Sequence, residues 1–356
     1  MASLAPSFAG KRCLVTGGLG FIGSSLAHRL VAGGAQVTIA DSLIPAYGGN
    51  LFNVHDIRKQ IHISITDVRD PHAMQVLVRG HDYIFNLAGQ IGHLESMDDP
   101  QTDLRINTEG PLTVLEACRR YNPSAKVLYA STRTVYGRAQ SLPIDEQHPL
   151  QPIDCNAVSN LAAEYYHRLY YTVHGVPTVC LRLTNTYGPR QMMKDAQGRY
   201  ALIYSWIRRA LDDEALLVMG GHQMRDFTYI DDCVEALVLA AGAPQANGEV
   251  YNLGGEAMAL PDLADLLVEL AGSGRVERVE LPAERRAIDP GRVYLDYEKI
   301  KRELGWEPRV GLREGLSRTL AFYRRYRQYY WNAEDVAAQQ IDALRRRPGA
   351  DEEGRS

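Results

Sequence analysis

The residues near the start of the chain that can do chemistry are glycines and one acid. The run Gly17-Gly18-Leu19-Gly20-Phe21-Ile22-Gly23 contains Gly18-x-Gly20-x-x-Gly23. At that spacing glycines allow a tight turn, a close backbone approach to a pyrophosphate, and close packing of helix on sheet. The turn follows an apolar run at 13–16 and opens a helically spaced one at 21–32. The start of that helix would offer free N–H groups and its positive dipole end to phosphate. Asp41, followed by Ser42, closes the next apolar run. A carboxylate there accepts both ribose hydroxyls and repels a 2′-phosphate, so NAD is expected rather than NADP.

The elements that must position this turn follow from hydrophobic patterning. From residue 12 to about 131, short β-branched or apolar runs alternate with longer amphipathic ones, the pattern of a parallel sheet built from βαβ units. Strands are predicted at 13–16, 36–40, 61–65, 83–87, 127–130 and 178–183, with helices at 21–32, 111–121 and 157–173. Beyond Pro189 the alternation loosens, with helices near 201–212, 231–241 and 260–270 and a short strand at 216–218. The expected fold class is α/β, a Rossmann-type doubly wound parallel sheet with a smaller α/β lobe for substrate. Residues 10–188 are assigned mainly to the first, 189–330 mainly to the second with some chain crossing between them, and 331–356 to a helix at 335–347 and a polar tail.

Bulk properties narrow the ligand class. The 356 residues carry a net charge of −4 with no polybasic block, which argues against nucleic acid and for a small ligand. Cys13, Cys118, Cys155, Cys180 and Cys233 form no C-x-x-C pair, so a reducing, cytoplasmic setting without disulfides or zinc is expected. No stretch approaches the roughly 20 apolar residues of a membrane span.

The turn from Thr16 to Gly23 resembles T-G-G-x-G-F-I-G, the signature of the extended short-chain dehydrogenases/reductases, a family of NAD-dependent nucleotide-sugar epimerases, dehydratases and decarboxylases. Asp67-Val68 resembles the family's D-[VL] pair, which implies contact with adenine. Asn86-Leu87-Ala88-Gly89, with Gln90 next, resembles the H-x-A-[AG] strand end that lines the cofactor, and Asn107 stands at the asparagine of the following helix. Ser131-Thr132-Arg133-Thr134-Val135-Tyr136-Gly137 resembles [ST]-[ST]-x-x-V-Y-G, implying that Thr132 is the catalytic hydroxyl. Later segments resemble R-x-x-N-x-Y-G-P-R (182–190), R-D-F-x-x-V-x-D (225–232), R-x-x-D (286–289) and L-G-W-x-P (304–308). The resemblance spans about residues 10–325. It implies a nucleotide-diphosphate sugar held by Thr132, Asn185, Arg190, Arg225, Arg286 and Asp289, and a homodimer packed through the helices at 111–121 and 157–173.

One element departs from the family. Its Y-x-x-x-K pair supplies a tyrosine that exchanges the sugar's proton and a lysine that lowers the tyrosine pKa and binds the nicotinamide ribose. Aligning Pro152 and Ser159-x-Leu161-x-x-Glu164 with the flanking pattern places Asn156 at the tyrosine and Asn160 at the lysine. An amide hydrogen-bonds a hydroxyl but has no accessible pKa near neutrality, so Asn156 cannot serve as a general base. Three readings stay open. Another side chain supplies the base, with His93, Glu95, Asp154 and Cys155 as candidates and His93 favoured because its unperturbed pKa is near neutral. Alternatively Thr132, water or the substrate mediates transfer and Asn156 only orients, or the protein binds both ligands without efficient turnover. Arg133 and Thr134 stand where the family's dehydratases carry an Asp-Glu pair, which disfavours elimination. The expected reaction is C4 epimerisation through a transient 4-keto sugar, with Thr132 polarising the C4 oxygen and Asn156 and Asn160 at the reaction centre; decarboxylation of a uronic acid begins with the same oxidation.

Overall fold

A computed structural model describes residues 8–331 except 45–46, 194–201 and 222. The helix expected at 335–347, the polar tail and most of 191–200 lie outside the described residues. The first six strands are β1 (Arg12–Thr16), β2 (Gln36–Asp41), β3 (Ile61–Ile65), β4 (Tyr83–Asn86), β5 (Lys126–Thr132) and β6 (Thr178–Leu183). They are followed by β7 (Asn185–Tyr187), β8 (Ala215–Met219), β9 (Met224–Tyr229), β10 (Val250–Leu253), β11 (Glu256–Ala259), β12 (Arg275–Val279) and β13 (Arg292–Val293).

Seven of these form one sheet in the order β10-β6-β5-β4-β1-β2-β3, and every pairing in it is parallel. The chain builds outward from β1 in one direction through β2 and β3, then returns to pair β4 on the other side of β1. That reversal opens a crevice at the carboxyl ends of β1 and β4, where a doubly wound sheet binds its ligand. Thr16, the last residue of β1, has Ala40 beside it on β2 and Asn86 beside it on β4. The glycine turn therefore leaves β1 directly into the crevice. The seventh strand, β10, lies beyond the 188/189 boundary expected from the sequence, so the chain returns to the sheet after beginning the smaller lobe.

The smaller lobe carries β9 paired with β7, β11 and β13, and a separate pair of β8 with β12. Its helices Leu202–Leu211 and Leu260–Ala271 were legible from spacing; strands β9 and β11–β13 were not. No helix among the described residues is long and apolar enough to cross a membrane.

The helix Cys155–His174 shows how local sequence places site residues. Asp154 caps it, accepting the Ala157 N–H at 2.8 Å, and Gly175 ends it in the left-handed conformation at φ 69°. Its buried face runs through Asn156, Ser159, Ala163, His167 and Tyr170 at the spacing of one helical face. Asn156 and Asn160 thus sit one turn apart at the end nearest the crevice. His167 is fully buried and stacks on Tyr129, with ring centroids 4.5 Å apart.

Burial pushes the His167 pKa down to about 4, against a carbonyl contact with Ala163 that favours the charged form. Because the unfolded chain binds this proton more tightly, stability from this site is full above about pH 6.5 and falls as pH drops toward 4. The expected slope is at most about 1.4 kcal/mol per pH unit in that window. Denaturant titrations across it should show the slope flattened in His167→Phe.

Candidate functional site

The crevice holds a cavity of about 560 Å³ that runs from the glycine turn to the smaller lobe. Gly17, Gly20, Phe21, Ile22, Gly23, Asp41, Ser42, Asp67, Val68, Leu87, Ala88, Gln90, Asn107 and Asn160, all expected from the sequence to hold the cofactor, lie on its wall. The helix Phe21–Ala32 starts at Gly20 with no side-chain cap, leaving its first turn for a ligand. The glycines are needed sterically. A Cβ on Gly17, at φ +67°, would stand 2.9 Å from the Ala88 backbone, and one on Gly23 would collide with the Gly17 carbonyl. Gly23→Ala must therefore push helix from turn, and should cost about 1–3 kcal/mol of stability and most of the dinucleotide retained on purification, read by denaturation midpoint and bound-nucleotide content.

Asp41 is buried, and its two oxygens accept the Leu19 N–H at 2.9 Å and the Leu43 N–H at 2.8 Å. Burial raises its pKa while those two N–H groups oppose the rise. Asp67 is engaged by Arg69, whose Nε donates to it at 2.9 Å and holds its carboxyl below the usual range. Asn107 lies in a π-helical segment, Arg105–Glu109, a distortion frequent at functional sites. Its amide clasps the Gln90 backbone, accepting the N–H and donating to the carbonyl, both at 2.9 Å.

Asn156 and Asn160 do not present free amides to the cavity. Asn156 Nδ2 donates to Gln90 O at 2.8 Å, Gln90 Oε1 at 3.2 Å and Asp103 Oδ1 at 3.1 Å. Asn160 Nδ2 donates to Asn156 O at 2.8 Å, and its Oδ1 accepts the Tyr129 hydroxyl at 2.9 Å. The two positions form a brace from Tyr129 through the helix to Asp103. Nothing in the sequence pointed to Tyr129 or Asp103, since each reaches the site only through packing.

His93 and Asp154 form an ionisable pair at the site. His93 begins the helix His93–Asp98 after β4, and its Nδ1 lies 2.9 Å from Asp154 Oδ2, across 61 residues of chain. Both line the cavity, with the His93 side chain 43% exposed and that of Asp154 5%. Burial would raise the Asp154 pKa, but the His93 hydrogen bond and charge, the Ala157 N–H and Arg133 together hold it below the usual range. Thr132, at the end of β5, also lines the cavity, with its hydroxyl 3.0 Å from that of Thr134.

Glu95 and Cys155 are absent from the lining, and both Glu95 carboxyl oxygens are buried without a hydrogen-bond partner. At the substrate end, Asn185, Arg225 and Asp289 face the cavity, and Arg225 Nη2 pairs with Asp289 Oδ1 at 3.1 Å. Arg190 and Arg286 do not line it. The Arg190 carbonyl accepts Asn53 Nδ2, whereas Arg286 donates to the Leu281 carbonyl and borders an adjoining depression that shares Leu281, Asp289 and Pro290 with the cavity. Arg285, the neighbour of Arg286, is on the wall instead, along with Arg133.

The GDP-mannose 4,6 dehydratase family model matches residues 14–319. A dTDP-glucose 4,6-dehydratase from an Actinoplanes species is 33% identical over 331 residues, covering 90% of this chain and 99% of that protein. A UDP-glucose 4-epimerase from Mycolicibacterium smegmatis is 31% identical over 316 residues, 88% of this chain and 98% of the relative. Among solved structures, the dTDP-glucose 4,6-dehydratase DesIV from Streptomyces venezuelae, crystallised with NAD, superposes with a TM-score of 0.82 at 29% identity, covering 91% of this chain and 99% of that one. The chain belongs to this family, the extended short-chain dehydrogenases/reductases whose members are NAD-dependent nucleotide-sugar epimerases and dehydratases.

Proposed function

We propose that the protein is a nucleotide-sugar 4-epimerase in which His93, oriented by Asp154, moves the proton that the family's tyrosine moves elsewhere. The observation that carries this reading is the 2.9 Å contact of His93 Nδ1 with a buried Asp154 on the wall that also holds Thr132. With Asp154 held ionised, Nδ1 carries a hydrogen toward it and Nε2 is the basic nitrogen. A histidine oriented in this way is a competent general base and, once protonated, a general acid.

NAD fits the glycine turn, the uncapped helix start and Asp41, which would hold it, and bound there it would supply a reversible hydride acceptor for C4. Thr132 is proposed to donate to the C4 oxygen, and His93 to remove the hydroxyl proton and give it back. Asn156 and Asn160 are braces in this scheme, because their amide N–H groups are spent on Gln90, Asp103 and the helix backbone. Arg133 and Thr134 put no carboxylate beside Thr132, which favours inversion over elimination of water. Exposed Val158, Tyr165, Leu169 and Val173 on the helix Cys155–His174 support a homodimer through that face.

The test uses nucleotide sugars carrying deuterium at C4, incubated with the purified protein and resolved by NMR. The expected product is the C4 epimer with the label retained, since the same hydrogen leaves and returns. No turnover of uridine, thymidine, guanosine or cytidine diphosphate sugars would overturn the proposal.

A further inference from the structure

The charges at the substrate end of the cavity do not all find partners. Asp154 is bound to His93; Asp289 takes Arg225 Nη2 and Gln223 Nε2; Asp226 takes the Thr184 hydroxyl and the Leu295 N–H. Arg225 is further pinned by the carbonyls of Met224 and Gly291. Arg133 lines the same wall, immediately after Thr132, and makes no hydrogen bond or salt bridge with any described residue. Protein crowds it enough that burial, then the like charge of Arg225, bring its pKa down to about 10. The charges of Asp226, Asp154 and Asp289 oppose that fall.

A half-buried guanidinium on a cavity wall, with its five donors unspent on the protein, is suited to an anion that arrives with the ligand. A nucleotide sugar offers two kinds of anion, the diphosphate and, in a uronic acid, the C6 carboxylate. Arg285 lines the smaller-lobe wall and also makes no hydrogen bond or salt bridge with a described residue, so a cation is available there for the diphosphate. Arg133 instead adjoins the hydroxyl proposed to meet C4, and C6 hangs from the carbon next to C4. We infer that the sugar is a hexuronic acid whose carboxylate is taken by the Arg133 guanidinium, in the fork geometry that suits planar carboxylates. This rests on the reading that Thr132 meets C4.

The inference is tested by calorimetric binding to the full-length protein loaded with NAD. The probes are UDP-glucuronate against UDP-glucose, and glucuronic acid 1-phosphate against glucose 1-phosphate, the second pair being independent of the base. Each uronate is expected to bind roughly 10- to 100-fold tighter than its neutral partner. Arg133→Gln should bring that ratio close to one by weakening the uronate, and Arg133→Lys should restore part of it. A ratio of one in the wild type, or equal weakening of both sugars by Arg133→Gln, overturns the inference. If a neutral sugar is also epimerised with C4 label retained, the proposed function survives that failure. Failure of all four probes to bind the NAD-loaded protein overturns the inference, and the proposed function then falls only if the thymidine, guanosine and cytidine diphosphate sugars are not turned over either.

Discussion

Replacing His93 with alanine is expected to lower turnover by about 10²–10⁴-fold while substrate affinity changes only a few-fold. The size follows from losing a positioned acid–base group at a site with no second one in its place. Asn156 cannot substitute, because an amide does not titrate near neutrality and its N–H groups are committed to Gln90 and Asp103. The loss should be chemical and not structural. The helix that begins at His93 keeps its bond from the Ser96 hydroxyl to the His93 carbonyl, which alanine supplies equally. Asp154→Asn is the companion variant: asparagine still caps the helix Cys155–His174, but it no longer fixes the His93 tautomer. Steady-state rates should therefore fall in both variants with little change in thermal midpoint, and unchanged rates in His93→Ala would return the histidine to a structural role.

Glu164→Ala is expected to destabilise the fold by about 3–5 kcal/mol, measured by urea unfolding. Glu164 and Arg182 are a buried pair, with side chains 0% and 3% exposed. Glu164 Oε2 also accepts Arg182 Nε at 3.0 Å and the Ser131 hydroxyl at 2.9 Å, and Arg182 Nη1 donates to the Tyr136 hydroxyl at 2.6 Å. Removing the carboxylate strands a desolvated guanidinium between β5, β6 and the helix Cys155–His174. Because Ser131 precedes Thr132, the same change should loosen the Thr132 hydroxyl proposed to meet C4 and lower activity in protein that still folds. The Arg313–Glu269 pair is the control: both side chains are about 60% exposed, and Glu269→Ala should leave the unfolding midpoint unmoved.

These two sites also separate what the sequence could reveal from what it could not. The glycine turn, Asp41 and strands β1 to β6 were legible because their information is local: a spacing, a strand-ending acid, a period of apolar residues. Strand β10 was missed because Val250–Leu253 is too short for periodicity to distinguish, and its place in the main sheet depends on β6, some 70 residues earlier, taking it as a neighbour. The pairing of His93 with Asp154 had no local signature either; both were candidates, but only the fold brings them to 2.9 Å.

The R-x-x-D pattern led to Arg286, while the short helix Ala283–Ala287 sets Arg285 on the cavity wall and Arg286 beside the Leu281 carbonyl. Adjacent helical residues point about 100° apart, so the two arginines turn to different parts of the surface, and the pattern alone could not show which faces the cavity. The sequence reading sets Asn156 and Asn160 against the family's tyrosine and lysine, but how their amides are engaged was not legible there. Both asparagines are satisfied by the protein, which shifts attention from their amides to the histidine beside them.

The most direct test of the central claim is the rate at which the near-ultraviolet absorbance of the bound cofactor changes when nucleotide sugar is mixed with the protein in a single turnover. The wild type should show a transient change that reports sugar oxidation, and His93→Ala should show it about 10²–10⁴-fold more slowly at saturating sugar. An equal rate in the variant would contradict the assignment of His93 as the group that moves the proton.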